Sequence, residues 1–336
     1  MTLREGKLPP ELLAELVAHT SSGPDILVGA AVGEDAAVVR GHDRLVVTSD
    51  PITFTEEEIG TYVVAVNAND IVAMGGIPRY LSTTILVPPG THFAAVRSVF
   101  ERIGEASRRL GLLWIGGHTE VTPAVTRLVV SGNAIGTLER PPLRTNGARA
   151  GDRLVLTKWA ALEGTTLVAR ERPKLCRELL GEVAYRRVLA WLTEPGISIA
   201  REGRITAGCA ITAAHDPTEG GVVTGIREIA LSSGLAVSVE RDSIAVRPET
   251  ALVCRSLGLD PLGLVSSGCF LFSAAEAEAR RACRLLEQEG IPAAVIGIMG
   301  EPGGALTMRD AAGEHPLPHF ERDELCRLDE RPEGRG

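Results

Sequence analysis

Polar, glycine- or proline-marked segments break the apolar runs of this chain at five places. They are Gly33-Glu34-Asp35-Ala36-Ala37, Thr48-Ser49-Asp50-Pro51, Asn67-Ala68-Asn69-Asp70, Gly116-Gly117-His118-Thr119-Glu120 and His215-Asp216-Pro217-Thr218-Glu219-Gly220-Gly221. Each follows an apolar run, so the pattern predicts acidic turns at the rim of one or more sheets. Asp and Gly mark ordinary turns, which accounts for any one segment alone. Four of them within the first 120 residues point further, to a shared oxygen-rich site. Such a site suits a hard cation and a polyphosphate, because carboxylate oxygens match Mg2+ and the ion offsets phosphate repulsion.

The chain has 336 residues, enough for two ordinary domains. Pro141-Pro142 and Asn146-Gly147 mark the boundary, giving domains at 1–147 and 148–315 and a peripheral tail at 316–336. Helical spacing predicts helices near the N-terminus from Pro10 and over 96–110, Ala- and Val-rich composition a buried helix over 59–74, and the second half carries expected helices over 163–170, 174–180, 185–192, 222–231, 248–257 and 274–289. Apolar runs at 45–47, 81–87, 114–115, 128–136, 153–158, 236–240, 269–273 and 293–298 predict strands, so both halves read as α/β or α+β. Asn69 and Asp70 then fall in the last turns of a buried helix, where polar groups require partners.

The formal charge of -8 and the lack of a Lys/Arg stripe argue against a nucleic-acid partner. No apolar run reaches the length of a membrane helix. The six cysteines form no CxxC pair, which points to a reducing, cytoplasmic setting.

Asp35, Asp50 and Asp70 are the first candidates for the cation shell, with Glu120 completing it. Gly117 and Thr119 are placed to offer a backbone N–H and a hydroxyl to phosphate, beside Asn69. His118 is either a general acid or base or a hydrogen-bonded structural imidazole. Asp216 and Thr218 open a helix, where capping and the holding of a phosphate or carboxylate are compatible. Lys158, at a strand end, either neutralises phosphate or stays solvated. Asp152 reads as a surface-turn residue. No GxxxxGK[ST] segment or dinucleotide-fold fingerprint is present, so nucleotide chemistry here needs another phosphate-handling solution.

The ordered segments GEDAAVV, TSDPIT, VNANDIVAMGGIPRYL, GGHTE, LTKWAALEGT, HDPTEGG and LVSSGCFLF resemble the aminoimidazole-ribonucleotide synthetase superfamily from about Asp25 to Gly300. LTKWAALEGT and GEDAAV look nearest to its hydrogenase-maturation, HypE-type branch. The resemblance implies an N-terminal α/β domain that forms a β-barrel dimer with its twin, and a C-terminal α/β domain beside it. It also implies ATP held with Mg2+, and phosphoryl transfer that activates a small-molecule acceptor. By motif it carries metal or phosphate contacts to Asp35, Asp50, Asn69 and Asp70, and further site roles to His118, Thr119, Glu120 and Asp216. A hydrogenase-maturation role on a carbamoyl group, with a maturation partner protein, is one alternative. A nucleotide-binding sensor or assembly protein without turnover is another. Two departures stand out. That branch ends in a Pro-Arg-Ile-Cys tail, whereas this sequence ends Arg331 to Gly336 with its last cysteine at Cys326. His118 occupies a position where the relatives commonly place Asp, a weaker Mg2+ partner for which Glu120 is expected to compensate.

Overall fold

A computed structural model describes residues 6–7, 10–28, 38–41, 43–53 and 55–328. The chain divides into two compact units, residues 1–72 with 76–141, and residues 73–75 with 142–336.

The first unit carries strands β1 (Gly6–Lys7), β2 (Ile26–Val28), β3 (Val38–Val39), β4 (Leu45–Ile52), β5 (Ile77–Val87), β6 (Leu113–Val121) and β7 (Val129–Thr137). Its helices are α1 (Pro10–Val17), α2 (Ile59–Ala73) and α3 (Phe93–Leu110). Val96, Val99, Phe100, Ile103 and Ala106 bury one stripe of α3, and Gly111 stops the helix in the left-handed conformation at φ 75°. α2 is buried around most of its surface, as its Ala- and Val-rich sequence requires.

Five strands form one mixed sheet in the order β1-β6-β5-β7-β4, parallel only between β5 and β6. The expected barrel is not formed. The sheet is open, ending at β1 and β4, and no sheet among the described residues closes on itself. Closure needs tilted, staggered strands that meet edge to edge. Here one edge is the two-residue β1, and the opposite edge strand leaves Leu45 and Val47 exposed.

Two of the acidic segments are not the turns their composition predicts. Thr48 to Pro51 lies inside β4 and Gly116 to Glu120 inside β6, while Asn67 to Asp70 lies inside α2, the helix expected there. β6 tolerates two glycines because it needs them. Gly116 and Gly117 adopt φ of 106° and 146°, a side chain on Gly117 would run into the Thr83 carbonyl, and the β5–β6 register shifts between Leu81 and Thr83.

The second unit carries β8 (Arg153–Thr157), β9 (Ile211–His215), β10 (Leu235–Glu240), β11 (Leu271–Ala274), β12 (Ala293–Pro302), β13 (Leu306–Asp310) and β14 (Gly313–Pro316). Its helices are α4 (Leu162–Glu171), α5 (Pro173–Ala190), α6 (Ala200–Thr206), α7 (Gly221–Ser233), α8 (Pro248–Leu257) and α9 (Glu276–Gln288). α5 contains the two predicted helices, joined across a break at Gly181. The seven strands run β14-β13-β10-β12-β8-β11-β9, parallel only between β10 and β13. Leu154, Leu156, Val237, Val239 and Ile296 meet Val222, Ile226 and Ile229 of α7 in one core. The molecule is thus mixed α/β in two units.

The segment after β14 is packed at least as far as Leu328. Leu317 and Leu328 are buried, and the Phe320 ring fills the space that Gly263 leaves open. Asp152 is buried as well, not a surface-turn residue. Its Oδ2 accepts hydrogen bonds from the Arg149 N–H at 2.9 Å and the Thr212 hydroxyl at 2.7 Å. Asp152→Ala is expected to lower unfolding stability by about 2–4 kcal/mol, since two donors lose a charged acceptor. Urea unfolding should show this, while Glu287→Ala on the exposed face of α9 should shift stability by less than about 0.5 kcal/mol.

Candidate active site

Asn67 sets the geometry of the first unit. It is fully buried, its Oδ1 accepts the Asp50 N–H at 3.0 Å, and its Nδ2 donates to Asp50 O at 3.2 Å and Val63 O at 2.8 Å. Gly132 pairs with Asp50 in the β4–β7 register, and a side chain there would occupy the space of the Asn67 amide. One turn along α2, Asp70 Oδ2 accepts the Thr48 hydroxyl at 2.6 Å. Thr48 and Asp50 lie two apart on β4 and so share its α2-facing side. The structure therefore brings Asp50 and Asp70 to one seam between β4 and α2, with Asn69 buried on the same helix.

His118 and Glu120 stand elsewhere. Their side chains are exposed and 3.4 Å apart on β6. His118 pairs with Thr84, and Thr84 with Ser131, the residue beside Gly132 whose side chain points the other way. The sheet thus separates His118 and Glu120 from Asp50 and Asp70, while Gly117 and Thr119 alternate to the α2 side. Among the described residues no three His, Cys, Asp or Glu side chains gather closely enough to hold a metal. Asp35 lies outside the described residues.

In the second unit the register places Lys158, Asp216 and Cys269 at one end of three adjacent strands. Leu271 pairs with Leu156 on one side and His215 on the other, so β8 ends, β9 ends and β11 begins together. Lys158, expected to meet phosphate or solvent, is turned inward in a left-handed conformation at φ 56°. Its ammonium donates to Ser198 O at 2.8 Å and Gly196 O at 3.2 Å. Glu202 Oε1 lies 2.7 Å away as an ion pair, though not aligned as a hydrogen bond. Both side chains are buried, so the Lys158 charge is answered inside the protein. Cys269 donates to Trp159 O at 3.1 Å, and burial pushes its thiol up to about 12 despite the nearby Lys158. Asp216 is buried beside them, and the Thr218 carbonyl accepts from Gly221 N–H at 3.0 Å.

Two buried carboxyl groups, Asp323 and Glu163, lie within electrostatic reach of each other near the start of α7. Gly220, in the left-handed conformation, donates its N–H to Asp323 Oδ2 at 2.7 Å. Glu163, in the first turn of α4, is buried and accepts the Ser267 N–H at 3.3 Å. Burial pushes its carboxyl up to about 7; Ser267 opposes the rise, and Glu219 and Asp323 add to it. Burial likewise lifts Asp323 to about 6, against its bonds from Leu325 and Gly220. A carboxyl that exchanges its proton near neutrality is suited to acid–base work. Sequence reasoning missed Glu163, Glu202 and Asp323. Glu163 carries a signal, a lone acid in an otherwise apolar and Thr-rich helix start; Asp323, in a charged tail, carries none.

The fold and these sites define a two-unit α/β protein whose polar groups collect on a β4–α2 seam and at one end of the second sheet. Family models for AIR synthase related protein match in tandem, the N-terminal domain over residues 33–138 and the C-terminal domain over 149–308. The chain belongs to this family. It is similar to carbamoyl dehydratase HypE of Rhodobacter capsulatus, with 28% identity over 322 residues, covering 92% of this chain and 91% of that protein. It is also 30% identical over 241 residues to the thiamine-monophosphate kinase of Pyrococcus horikoshii, covering 69% of this chain and 72% of the kinase. Among solved structures, hydrogenase maturation protein HypE in complex with ATP matches with a TM-score of 0.75 at 25% identity, over 93% of this chain and 94% of that one.

The raised carboxyl groups fix a pH dependence. Their folded values lie above the ordinary 4.5 of Glu and 3.8 of Asp, so the stability they contribute is complete at low pH. It is lost as pH rises, through about 6 for Asp323 and about 7 for Glu163. Thermal or urea unfolding between pH 5 and pH 8 should therefore show declining stability. Glu163→Gln should remove most of that slope, at most about 3 kcal/mol, and be relatively more stable at pH 8. An unchanged slope in the variant would show that Glu163 does not titrate in this range.

Proposed function

We propose that this protein is an ATP- and Mg2+-dependent enzyme that activates the oxygen of a carbamoyl group by phosphoryl transfer, as part of a maturation pathway for another protein. The observation that carries this reading is the similarity along nearly the whole chain to a carbamoyl dehydratase, joined by the match to a HypE structure holding ATP. A carbamoyl oxygen is a poor leaving group. Transfer of the γ-phosphoryl group to it makes the oxygen leave as phosphate. Loss of that phosphate and both N–H protons then converts R–S–C(O)NH2 to R–S–C≡N, with ADP and phosphate as co-products. Glu163, with a carboxyl near neutrality, is the group proposed to take up a proton.

Asp50 and Asp70 are proposed to hold Mg2+, with Asp35 as a further carboxylate. The oxygen-only donor set on the β4–α2 seam supports this. Asn69, Gly117 and Thr119 are the proposed nucleotide contacts. The carrier thiol is proposed to be Cys326, or a cysteine of a partner protein. Cys176, Cys254 and Cys269 are buried with thiols pushed up to about 11, 12 and 12, which keeps them protonated, whereas Cys326 is exposed. A homodimer is the proposed assembly, supported by the exposed Leu45 and Val47 on edge strand β4. No described helix is long and apolar enough to cross a membrane.

Calorimetric titration with a non-hydrolysable ATP analogue should give Mg2+-dependent binding. Asp50→Asn or Asp70→Asn should weaken it by about ten-fold or more at matched circular dichroism, and Glu287→Gln should not. No binding at millimolar nucleotide would sink the reading. Mass spectrometry after incubation with ATP, a carbamoyl donor and the partner should find a cyanated or carbamoylated cysteine. If every cysteine in the mixture stays unmodified while nucleotide is hydrolysed, the carbamoyl assignment is wrong and an acceptor like that of the phosphotransfer relatives gains the ground.

A further inference from the structure

Arg247, the residue before α8, packs its guanidinium over two indole rings. Its guanidinium carbon is 3.7 Å from the centroid of Trp159 and 4.9 Å from that of Trp191. Packing over aromatic rings engages the guanidinium's planar surface and leaves its in-plane N–H groups to act. One of these, the Nε–H, is buried and meets no acceptor among the described residues. The Nε1–H of Trp191 is in the same position, on a side chain only 1% exposed. Buried donors without acceptors are rare in folded proteins, because each carries an unreturned desolvation cost.

Charge follows the same direction. Glu249, whose field reaches Arg247, is already ion-paired with Arg187. Among the described residues Arg247 therefore has no carboxylate of its own, and burial lowers its affinity for the proton, with the Arg187 charge adding to that effect. A neutral acceptor would satisfy the N–H groups and leave the cation unanswered; a cation would repel both. A planar, doubly accepting anion answers both needs, because it matches the guanidinium fork with two parallel bonds.

We propose that Trp159, Trp191 and Arg247 form a binding site for the carboxylate or phosphate group of a small molecule. The site belongs wholly to the second unit and shares no residue with the Asp50–Asp70 seam, so it does not depend on the nucleotide reading. Its aromatic walls exclude water from the ion pair and strengthen it.

Tryptophan fluorescence of the intact protein, titrated at constant ionic strength, reads this site directly because two of its three tryptophans form the walls. Inorganic phosphate, acetate and benzoate are the probes. At least one should give a saturable change below about 50 mM, and Arg247→Gln should raise its midpoint by about ten-fold or more. A response to phosphate alone assigns the site to phosphate esters, and one to acetate or benzoate assigns it to carboxylates. Arg187→Gln should move the midpoint by less than about three-fold, and the ATP analogue should bind Arg247→Gln as it binds the parent. If Arg247→Gln melts early, Arg247→Lys keeps the charge, lacks the fork and should show the same loss. No saturable change with any probe, or equal midpoints in parent and Arg247 variants, overturns the proposal.

Discussion

Polar groups that fold into apolar surroundings must find partners within the protein, and this requirement arranges both units. In the first unit a single amide carries it. Asn67 could not sit on a helix packed against a sheet unless its donors and acceptor were taken up, and the Asp50 backbone does so together with Val63. That choice imposes others. Gly132 is needed opposite Asp50 to leave room, and α2 is fixed in rotation over β4, which aims Asp70 at Thr48. The acidic seam follows from satisfying one buried amide. In the second unit the corresponding group is the Lys158 ammonium, which draws Gly196, Ser198 and Glu202 around the ends of three strands. Leaving either partner of that pair alone would cost several kcal/mol, roughly 3–5.

Much of this was legible in the residues, and the failures share a cause. α3 and α9 announce themselves through apolar spacing, α2 through its Ala- and Val-rich composition, and β5 and β7 through long β-branched runs. Gly116-Gly117 and Ser49-Asp50-Pro51 were misleading, because turn-forming residues inside a strand mark a bulge or an edge as readily as a turn. Which meaning applies depends on the neighbouring strand, Thr83 in the first case, and local sequence does not contain it. β9 and β13 are short strands that pair with distant strands, β14 is a four-residue edge strand closing a hairpin onto β13, and α6 is only seven residues. The barrel came from resemblance alone, and strand order within one chain leaves the sheet open.

The candidate site shows the same division between local and non-local information. Asp50, Asn69 and Asp70 were visible because polar residues among apolar ones are conspicuous, whereas the role of Asn67 rests on its bonds to the Asp50 backbone and was not. Alternation along β6 places His118 and Glu120 together but on the far face of the sheet, a consequence of register that spacing alone does not reveal. Glu163 depends on contacts still further apart. Its environment comes from Ser267, Glu219 and Asp323, and only folding brings these charges to one point. Groups whose chemistry is tuned by neighbours are the least readable, since the tuning resides in the neighbours.

Two cations of the second unit illustrate what separates a structural charge from an available one. Lys158 looked available in sequence, at the end of a strand before a glycine-bearing helix start. The ammonium is compact and its donors rotate freely, so two carbonyls and a carboxylate can enclose it without demanding a particular plane. Arg247 looked unremarkable, one more basic residue before a proline. Its guanidinium is planar, and the two indoles it packs over also fix the plane in which its N–H groups point. Among the described residues there are acceptors for the first and none for the buried Nε–H of the second. Because an oriented fork is selective where a rotating ammonium is not, that difference in shape is what makes Arg247, rather than Lys158, the cation proposed to meet a ligand.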